Sequence, residues 1–182
     1  MRVVAGSRRS LPLRTLEGVD TRPTLDRYKE TLFNIIMPYV PESRFLDLFS
    51  GSGSIAIEAL SRGASHAVLV ENSRAAAEVI KYNVHFTKFD DSADIIQKDA
   101  VTYVRNLPKV DFDIIYIDPP YNKGLEKAVM LELNQKPFIS EDAIIIVESA
   151  LEEDFSYIED TKFEVYKVKE YKTNKHVFIR IR

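Results

Sequence analysis

The chain of 182 residues is long enough for one domain with its own core, and 45% hydrophobic and 29% charged residues are typical of a soluble globular protein. The lack of cysteine excludes disulfides, thiolate catalysis and cysteine-ligated zinc, and the three scattered histidines lack the spacing of metal ligands. No apolar run approaches the length of a membrane span. The basic N-terminus is not followed by the apolar stretch that a signal peptide would have. We therefore expect a cytoplasmic protein that binds neither a metal nor a membrane.

The formal net charge of −3 is unevenly distributed along the chain. Residues 1–14 carry four arginines and no acid, and residues 161–182 carry seven Lys/Arg against two acids, so the body between them is acidic. Basic segments at both ends of an acidic body are a candidate footprint for a phosphate backbone. Alternatively, they only offset the acidic surface.

Residues 1–21 predict a small β-hairpin extension, because two short apolar stretches flank a Gly-Ser-Arg-Arg-Ser loop that would present Arg8 and Arg9. A helix is predicted to start near Arg22, with Thr24 as its N-cap, and its apolar stripe continues to Met37. Its opposite face carries three charged residues, Arg27, Lys29 and Glu30. Arg22 and Arg27 are candidates for phosphate contact or for simple solvation.

The first sheet strand is predicted over residues 44–49 and runs into a glycine loop, with a helix over residues 54–61 after it. Glycines at this place let the backbone approach a ligand closely at a helix N-terminus. The pattern Gly51-x-Gly53-x-x-Ala56 also fits a dinucleotide-binding loop.

Two acids follow the next two strands. The second strand, over residues 66–70, ends at Glu71, which lies 18 residues beyond Gly53 and can accept hydrogen bonds from both hydroxyls of a ribose. The alternative is a solvated acid at a strand end. The third strand, over residues 94–97, precedes Asp99, which either caps the next helix or faces a purine amine.

The fourth strand is predicted over residues 112–117; it is continuously apolar from Ile114 to Ile117 and stops at Asp118-Pro119-Pro120-Tyr121. Because the prolines cannot extend the strand, Asp118 and Tyr121 are expected just past its carboxyl end, where open α/β sheets bind ligands. The Asp118 carboxylate and the Pro119 carbonyl can accept the two N–H groups of an exocyclic base amine, and Tyr121 offers a ring for stacking. The alternative is an ordinary strand-ending turn.

The remaining elements predict a three-layer α/β fold. Helices are predicted over residues 73–86, 125–133 and 152–158, a fifth strand over 143–148, and an antiparallel hairpin over 162–171 and 175–181 that turns at Thr173-Asn174. Lys123 lies in the loop above the proposed site. The resulting seven-stranded, mostly parallel sheet with a C-terminal antiparallel hairpin resembles the Rossmann-like fold of S-adenosylmethionine-dependent methyltransferases.

The motifs also resemble one family within that superfamily. The superfamily landmarks are residues 45–53 (Phe-Leu-Asp-Leu-Phe-Ser-Gly-Ser-Gly), Glu71, Asp99 and residues 118–121. Residues 22–24, 26–27, 30–33 and 58–63 further resemble the bacterial family that methylates guanine N2 in small-subunit (16S) ribosomal RNA. The similarity runs over nearly the whole chain, although the N-terminal loop is more basic than usual and lacks the usual aromatic residue.

This resemblance implies a role for each matching residue. The residues implied to hold S-adenosylmethionine are Asp47, Phe49, Ser50, Gly51, Gly53, Glu71, Asn72, Asp99, Ala100 and Asp118. The implied catalytic residues are Asp118, Pro119, Pro120 and Tyr121. The candidates for RNA contact are Arg2, Arg8, Arg9, Arg22, Arg27 and Lys123. The implied partner is small-subunit ribosomal RNA or its assembling ribonucleoprotein particle, bound by a monomer.

Three alternatives remain open from the residues. An adenine-N6 or other exocyclic-amine methyltransferase acting on DNA or RNA would use the same Asp-Pro-Pro-Tyr motif. A nicotinamide-dependent oxidoreductase would use the glycine loop and Glu71, but it lacks an evident hydride-transfer partner and leaves Asp118 unused. A non-catalytic RNA-binding module would have no need for an intact motif at residues 118–121.

Overall fold

The structure, a computed structural model, describes residues 1–16, 23–107, 109, 111–137 and 140–182. The predicted RNA contact of Arg22 and the end of the predicted extension, residues 17–21, lie outside the described residues. The predicted cap by the Thr24 side chain also lies outside what the structure describes.

The helices and strands alternate as predicted. The α-helices are α1 (Pro23–Ile36), α2 (Ser54–Ser61), α3 (Arg74–Phe86), α4 (Ala100–Arg105) and α5 (Leu125–Asn134). The strands are β1 (Arg44–Asp47), β2 (His66–Glu71), β3 (Ala93–Gln97), β4 (Ile114–Ile117), β5 (Ile144–Ala150), β6 (Phe163–Glu170) and β7 (Asn174–Ile181). Short 3-10 turns occupy Gly6–Arg8, Met37–Tyr39, Asp90–Ser92 and Ser156–Asp160.

The seven strands form one sheet in the order β3-β2-β1-β4-β5-β7-β6. Strands β1 to β5 pair in parallel, whereas β7 is antiparallel to both β5 and β6, which confirms the predicted C-terminal hairpin. The chain builds outward from β1 to β3 and then returns to β4 on the other side of β1. The crevice between the carboxyl ends of β1 and β4 is therefore the topological switch point, where such sheets bind ligands.

Helices cover both faces of the sheet, so the three-layer architecture is confirmed. On one face, α1, α2 and α3 pack on Phe45 and Tyr116, with Phe33 and Ile80 among the buried side chains between them. On the other face, α4 and α5 bury Val104 and other apolar residues against the sheet. Because β4 is covered on both sides, its four residues are all buried, as the uninterrupted apolar sequence predicts.

The N-terminal extension forms two antiparallel arms around a 3-10 turn over Gly6–Arg8. The arms are joined by backbone hydrogen bonds from Val3 to Leu11, from Ser10 to Val3 and from Leu13 to Met1. The backbone N–H groups of Val4 and Ala5 donate to the Glu58 carboxylate at 2.7 and 2.9 Å rather than across the arms. We refer to residues 1–16 as the arm.

The other departures from the sequence prediction are local. Strand β6 lies at the edge of the sheet and has a β-bulge between Val165 and Lys167, and the apolar side chains of Val165 and Val168 are exposed there. The helix predicted over residues 152–158 is a 3-10 turn displaced to Ser156–Asp160. Lys29, predicted on the outer face of α1, is buried and lies 3.4 Å from the Glu58 carboxylate.

Candidate active site

Two adjoining cavities lie at the carboxyl edge of the sheet, and both are lined by Phe49, Gly51 and Asp118. The smaller cavity, of about 290 Å³, extends over the ends of β4 and β5 and is bounded by the arm and α1. The larger cavity, of about 710 Å³, extends over β2 and α4. Asp118 therefore stands at the junction of two spaces that can hold two parts of one ligand or two ligands side by side.

The glycine loop between β1 and α2 shapes this junction. Gly53 has φ +78° and serves as the N-cap of α2, and an added Cβ would lie 3.1 Å from the Leu69 side chain. A larger residue is therefore strained by its backbone and crowded by the core. The Gly51 N–H donates to the Glu71 carboxylate at 2.8 Å, which ties the loop to the end of β2.

Glu71 is arranged to accept hydroxyl groups in the larger cavity. Its Oε2 accepts the Gly51 N–H and its Oε1 accepts the Ser73 N–H at 2.7 Å, so backbone amides hold the carboxylate in one orientation. Each oxygen keeps a second lone pair. With Asn72 beside it on the cavity wall, this geometry suits the two hydroxyls of a ribose.

Asp99 performs the capping role that was one of its two predicted functions. Its Oδ1 accepts the Thr102 N–H at 2.8 Å at the N-terminus of α4. It also lines the larger cavity with Ala100, opposite the side formed by residues 118–121. The second carboxylate oxygen has no role in the cap, so a contact with a purine amine remains compatible with the structure.

Asp47, at the end of β1, is 1% exposed, and its Oδ1 has no hydrogen-bond partner within the described part of the chain. Burial, with Glu71 nearby, raises the pKa of this carboxyl to about 7. An unpartnered buried oxygen on the wall of the smaller cavity is costly unless a ligand satisfies it. Asp47 thus marks a place where a hydrogen-bond donor or a cation is expected.

Asp118 and the three residues after it follow the end of β4 directly. Pro119 is buried and Pro120 is exposed, while the Tyr121 ring is 40% exposed at the mouth of the larger cavity. Burial, together with the negative charges of Glu148 and Asp47, raises the pKa of Asp118 well above its usual range. Four acidic residues, Asp26, Asp47, Asp118 and Glu148, line the smaller cavity against one lysine, Lys29, and this balance favours a ligand that carries positive charge.

Glu148, near the carboxyl end of β5, is the site residue that the sequence analysis missed. Its carboxylate accepts hydrogen bonds from the Tyr116 and Tyr121 hydroxyls at 2.8 and 3.0 Å and from the Asn174 amide at 2.5 Å. His176 Nε2 lies 3.1 Å from its other side. Burial alone would raise the pKa of Glu148, but these donors lower it below the ordinary value. The ionised carboxylate therefore fixes the hydroxyl of Tyr121, a predicted catalytic residue.

His176 extends this network to the edge of the site. The Nε2 of His176 faces the Glu148 carboxylate, so a neutral His176 ring carries its proton on Nε2 and donates it to Glu148. Its Nδ1 then accepts a hydrogen bond from the Tyr171 hydroxyl at 3.0 Å. The Tyr171 ring packs on Tyr28 with centroids 4.7 Å apart. A signal for this cluster existed in the sequence as a carboxylate ending an apolar strand, Glu148, but its partners are supplied by a hairpin 26 and 28 residues further on.

Among the predicted RNA-contact residues that the structure describes, only Lys123 lines one of the two cavities. Arg2 is exposed and its Nε donates to Asp26 at 2.9 Å, whereas Arg8 is half-buried and its Nε donates to the Thr87 carbonyl at 2.6 Å. Arg9, Arg27 and Lys123 are exposed, and Lys123 lines the larger cavity.

Neither a metal centre nor a membrane span is evident in the part of the chain that the structure describes. No three candidate ligands among the described residues converge in a way that would hold a metal ion. No helix there is both long and apolar enough to cross a bilayer.

Comparison with known proteins places this geometry in a family. The family model described as "Conserved hypothetical protein 95" matches residues 1–180. The chain belongs to this family. A putative rRNA methyltransferase, YlbH, from Bacillus subtilis is 37% identical over 150 residues, covering 81% of this chain and 82% of that protein.

Two further relatives agree with that assignment. The ribosomal RNA small subunit methyltransferase D of Haemophilus influenzae is 35% identical over 153 residues, covering 82% of this chain and 78% of that protein. The solved structure of the putative methyltransferase yhhF from Escherichia coli superposes with a TM-score of 0.84 at 28% identity, covering 100% of this chain and 97% of that one. The Rossmann-like methyltransferase fold predicted from the sequence is confirmed.

Proposed function

We propose that the protein transfers a methyl group from S-adenosylmethionine to the exocyclic N2 amine of a guanine in small-subunit ribosomal RNA. The observation that carries the proposal is the position of Asp118 at the junction of the two cavities, beside the glycine loop on one side and Tyr121 on the other. The relatives named as ribosomal RNA methyltransferases support the substrate class.

The described residues fit S-adenosylmethionine. Glu71 and Asn72 would hold the ribose, and Asp99 with Ala100 would face the adenine, since all four line the larger cavity. The loop from Phe49 to Gly53 and the unpartnered oxygen of Asp47 would hold the methionine part in the smaller one. When bound, this cofactor supplies an electrophilic methyl group on a positively charged sulfonium.

The protein's own contribution is positioning and electrostatics. The Asp118 carboxylate and the Pro119 carbonyl would accept the two N–H groups of the target amine and stabilise the positive charge that develops on its nitrogen. Tyr121, fixed by Glu148, would stack on the base. The alkylated amine is acidic, so Asp118, whose pKa is raised by burial, is suited to accept its proton.

Guanine is favoured over adenine by the pattern of donors. Guanine presents its N1–H beside the N2 amine, so two donors face one carboxylate, whereas adenine presents an acceptor at N1 that Asp118 would repel. This argument requires the Asp118 carboxyl to be ionised. The positive charge of a bound sulfonium would lower the pKa of Asp118 and so favour the ionised form. The target base must be unpaired or flipped out, at a cost of about a few kcal/mol in a duplex.

The test is methylation in vitro of small-subunit particles and of naked small-subunit RNA, followed by mass analysis of the nucleosides and mapping of the modified position. We expect N2-methylguanosine at one position. N6-methyladenosine in its place would assign the protein to the rival class of exocyclic-amine methyltransferases, and the absence of transfer to either substrate would reject the proposal. The particle-against-RNA comparison also identifies the physiological partner.

A further inference from the structure

Two exposed aromatic rings stand on the outer side of α3, next to the arm. Tyr82 and Phe86 are 36% and 39% exposed, and their rings are nearly parallel, with an interplanar angle of 9° and centroids 5.9 Å apart. The exposed guanidinium of Arg14 lies over the Tyr82 ring, with Cζ 3.3 Å from its centroid. We call Arg14, Tyr82 and Phe86 the aromatic platform.

The backbone of the arm is held against α3 at this place. The buried side chain of Asn83 accepts the Arg14 N–H at 2.8 Å and donates to the Arg14 carbonyl at 2.9 Å. Its amide also donates to the Ser52 carbonyl at 2.8 Å, in the glycine loop. The platform is therefore fixed relative to the loop that shapes the catalytic junction, and it does not depend on a freely moving chain end.

The platform is continuous with the smaller cavity. Thr15 and Leu16, which follow Arg14 directly, line that cavity together with Asp118. Met1 lines it as well, and its sulfur lies 3.4 Å from the Ser52 hydroxyl. An RNA strand that follows the arm away from the rim of this cavity therefore meets Arg14 and Tyr82.

The charges around the platform favour a polyanion over a protein surface. The arm contributes four arginines and no acid up to residue 14. Among the acids near the C-terminal half of α3, Glu78 pairs with Lys81 at 2.8 Å and Asp90 lies 3.0 Å from His85, whereas Asp91 is exposed beside them. Aromatic rings interleaved with arginines are typical of single-stranded nucleic acid sites, where rings stack on bases and arginines hold the backbone.

We propose that Arg14, Tyr82 and Phe86 form a stacking platform for unpaired nucleotides that flank the target base in the RNA substrate. The proposal rests on the proposed function only in taking RNA as the substrate. The platform binds bases through their faces, so it tolerates sequence, while the corner at residues 118–121 selects the base that is modified.

The test measures, by fluorescence anisotropy and without cofactor, how tightly the protein binds a short oligoadenylate labelled with fluorescein. We compare wild type with the double variant Tyr82→Leu/Phe86→Leu, which keeps apolar bulk on the helix but removes both rings. The control is Tyr166→Leu on β6, an exposed tyrosine that also carries an arginine, Arg180, over its ring and lies outside the platform.

We expect the double variant to bind about tenfold or more weakly, since loss of base stacking costs about 1–3 kcal/mol per base. The slope of log Kd against log salt should stay unchanged, because no phosphate contact is removed, whereas Arg14→Ala should lower that slope. Calorimetric binding of S-adenosylhomocysteine should stay unchanged in the double variant.

The proposal would be overturned if the double variant bound oligoadenylate within twofold of the wild-type affinity, or if the Tyr166→Leu control lost as much affinity as the double variant. The outcome is separable from that of the proposed function, because it is read from RNA binding without methyl transfer. A protein that methylates no guanine but loses oligoadenylate affinity with the two rings would reject the reaction and keep the platform.

Discussion

At the scale of single residues, the site depends on how buried carboxyl groups are satisfied. Glu148 is ionised because four donors surround it, whereas Asp47 keeps an oxygen without a partner in the described residues. Asp118 lies between them and is pushed towards its protonated form by burial and by both neighbours. Glu148 therefore holds the tyrosine hydroxyls in place, and Asp47 and Asp118 remain available to a ligand.

The role of Glu148 is tested by Glu148→Gln. The amide offers one acceptor oxygen where the carboxylate offers two, so the hydroxyls of Tyr116 and Tyr121 cannot both be held as they are now. We expect kcat to fall about tenfold or more, as for the loss of a hydrogen bond to a charged group, with little change in the affinity for S-adenosylhomocysteine. The matched control is Glu164→Gln, an exposed carboxylate on β6 that pairs with Arg180.

Tyr121→Phe separates positioning from a general loss of structure. It removes only the hydroxyl that donates to Glu148. If Glu148 positions Tyr121, kcat of Tyr121→Phe should fall by part of the loss seen in Glu148→Gln, and its melting temperature should stay near that of wild type. Full activity in both Tyr121→Phe and Glu148→Gln would show that the network does not position the ring.

The raised pKa of Asp47 predicts how stability depends on pH. The ordinary value is 3.8 and the value in the fold is about 7, so the buried acid contributes stability at low pH that is lost as pH rises through about 7. Asp47→Asn, which cannot ionise, should therefore be more stable than wild type at about pH 8, by about 1 kcal/mol or more, or roughly 2–4 °C in Tm.

The measurement is Tm against pH for both proteins without cofactor, with Asp160→Asn at an exposed position as control. The advantage of Asp47→Asn should shrink as the pH falls towards about 4. A difference that is constant over this range would contradict the assignment of the titrating group to Asp47.

At the scale of elements, the arm is a short segment whose position depends on one glycine. Gly6 has φ +81°, and a Cβ added to it would lie 1.8 Å from the Ser61 carbonyl oxygen at the end of α2. No side-chain rotation relieves a clash with backbone, so a substitution must move the arm. The arm also carries Arg14, whose guanidinium lies over the Tyr82 ring.

Gly6→Ala should therefore loosen the arm, at a cost of about 1–3 kcal/mol, while the sheet stays intact. Trypsin should then cleave after the arginines of the arm faster than in wild type, and RNA affinity should fall. Ser7→Ala, at the exposed neighbouring residue, is the control. If the arm of Gly6→Ala resists trypsin as well as that of wild type, the packing of Gly6 on Ser61 is not what holds it.

Elements with a strong local pattern could be predicted from the sequence. Each of the five parallel strands is a short apolar run. The glycine loop and the prolines of residues 118–121 are breaks that end such runs, and both signals can be read from residues that are neighbours in the sequence. The helix α2, residues 54–61, agrees with its predicted bounds at both ends.

Features that depend on distant partners could not be predicted. Lys29 is buried because Glu58, the Arg2 carbonyl and the Ser54 hydroxyl surround its ammonium group, and burial still lowers its pKa. The helical pattern alone places it among exposed charges on α1. In the same way, nothing near Glu148 in the sequence indicates the donors that β7 brings to it.

At the scale of the whole molecule, two surfaces meet at one carboxylate. The glycine loop and the two cavities suit S-adenosylmethionine, with its ribose and adenine in the larger cavity and its methionine part in the smaller one, and the arm that bounds the smaller cavity carries Arg14 of the aromatic platform. Asp118 is shared by both, so the account places methyl transfer there and assigns the remaining residues to binding on either side.

The most direct test of this claim is Asp118→Ala, with methyl transfer to small-subunit ribosomal RNA and calorimetric affinity for S-adenosylhomocysteine measured on the same preparation. Removing the carboxyl takes away the acceptor for the target amine but leaves Glu71 and the glycine loop in place. The account predicts that transfer falls by about a hundredfold or more, as for the loss of one group that stabilises transition-state charge, with cofactor affinity within a few fold of wild type. Turnover close to that of wild type would contradict it.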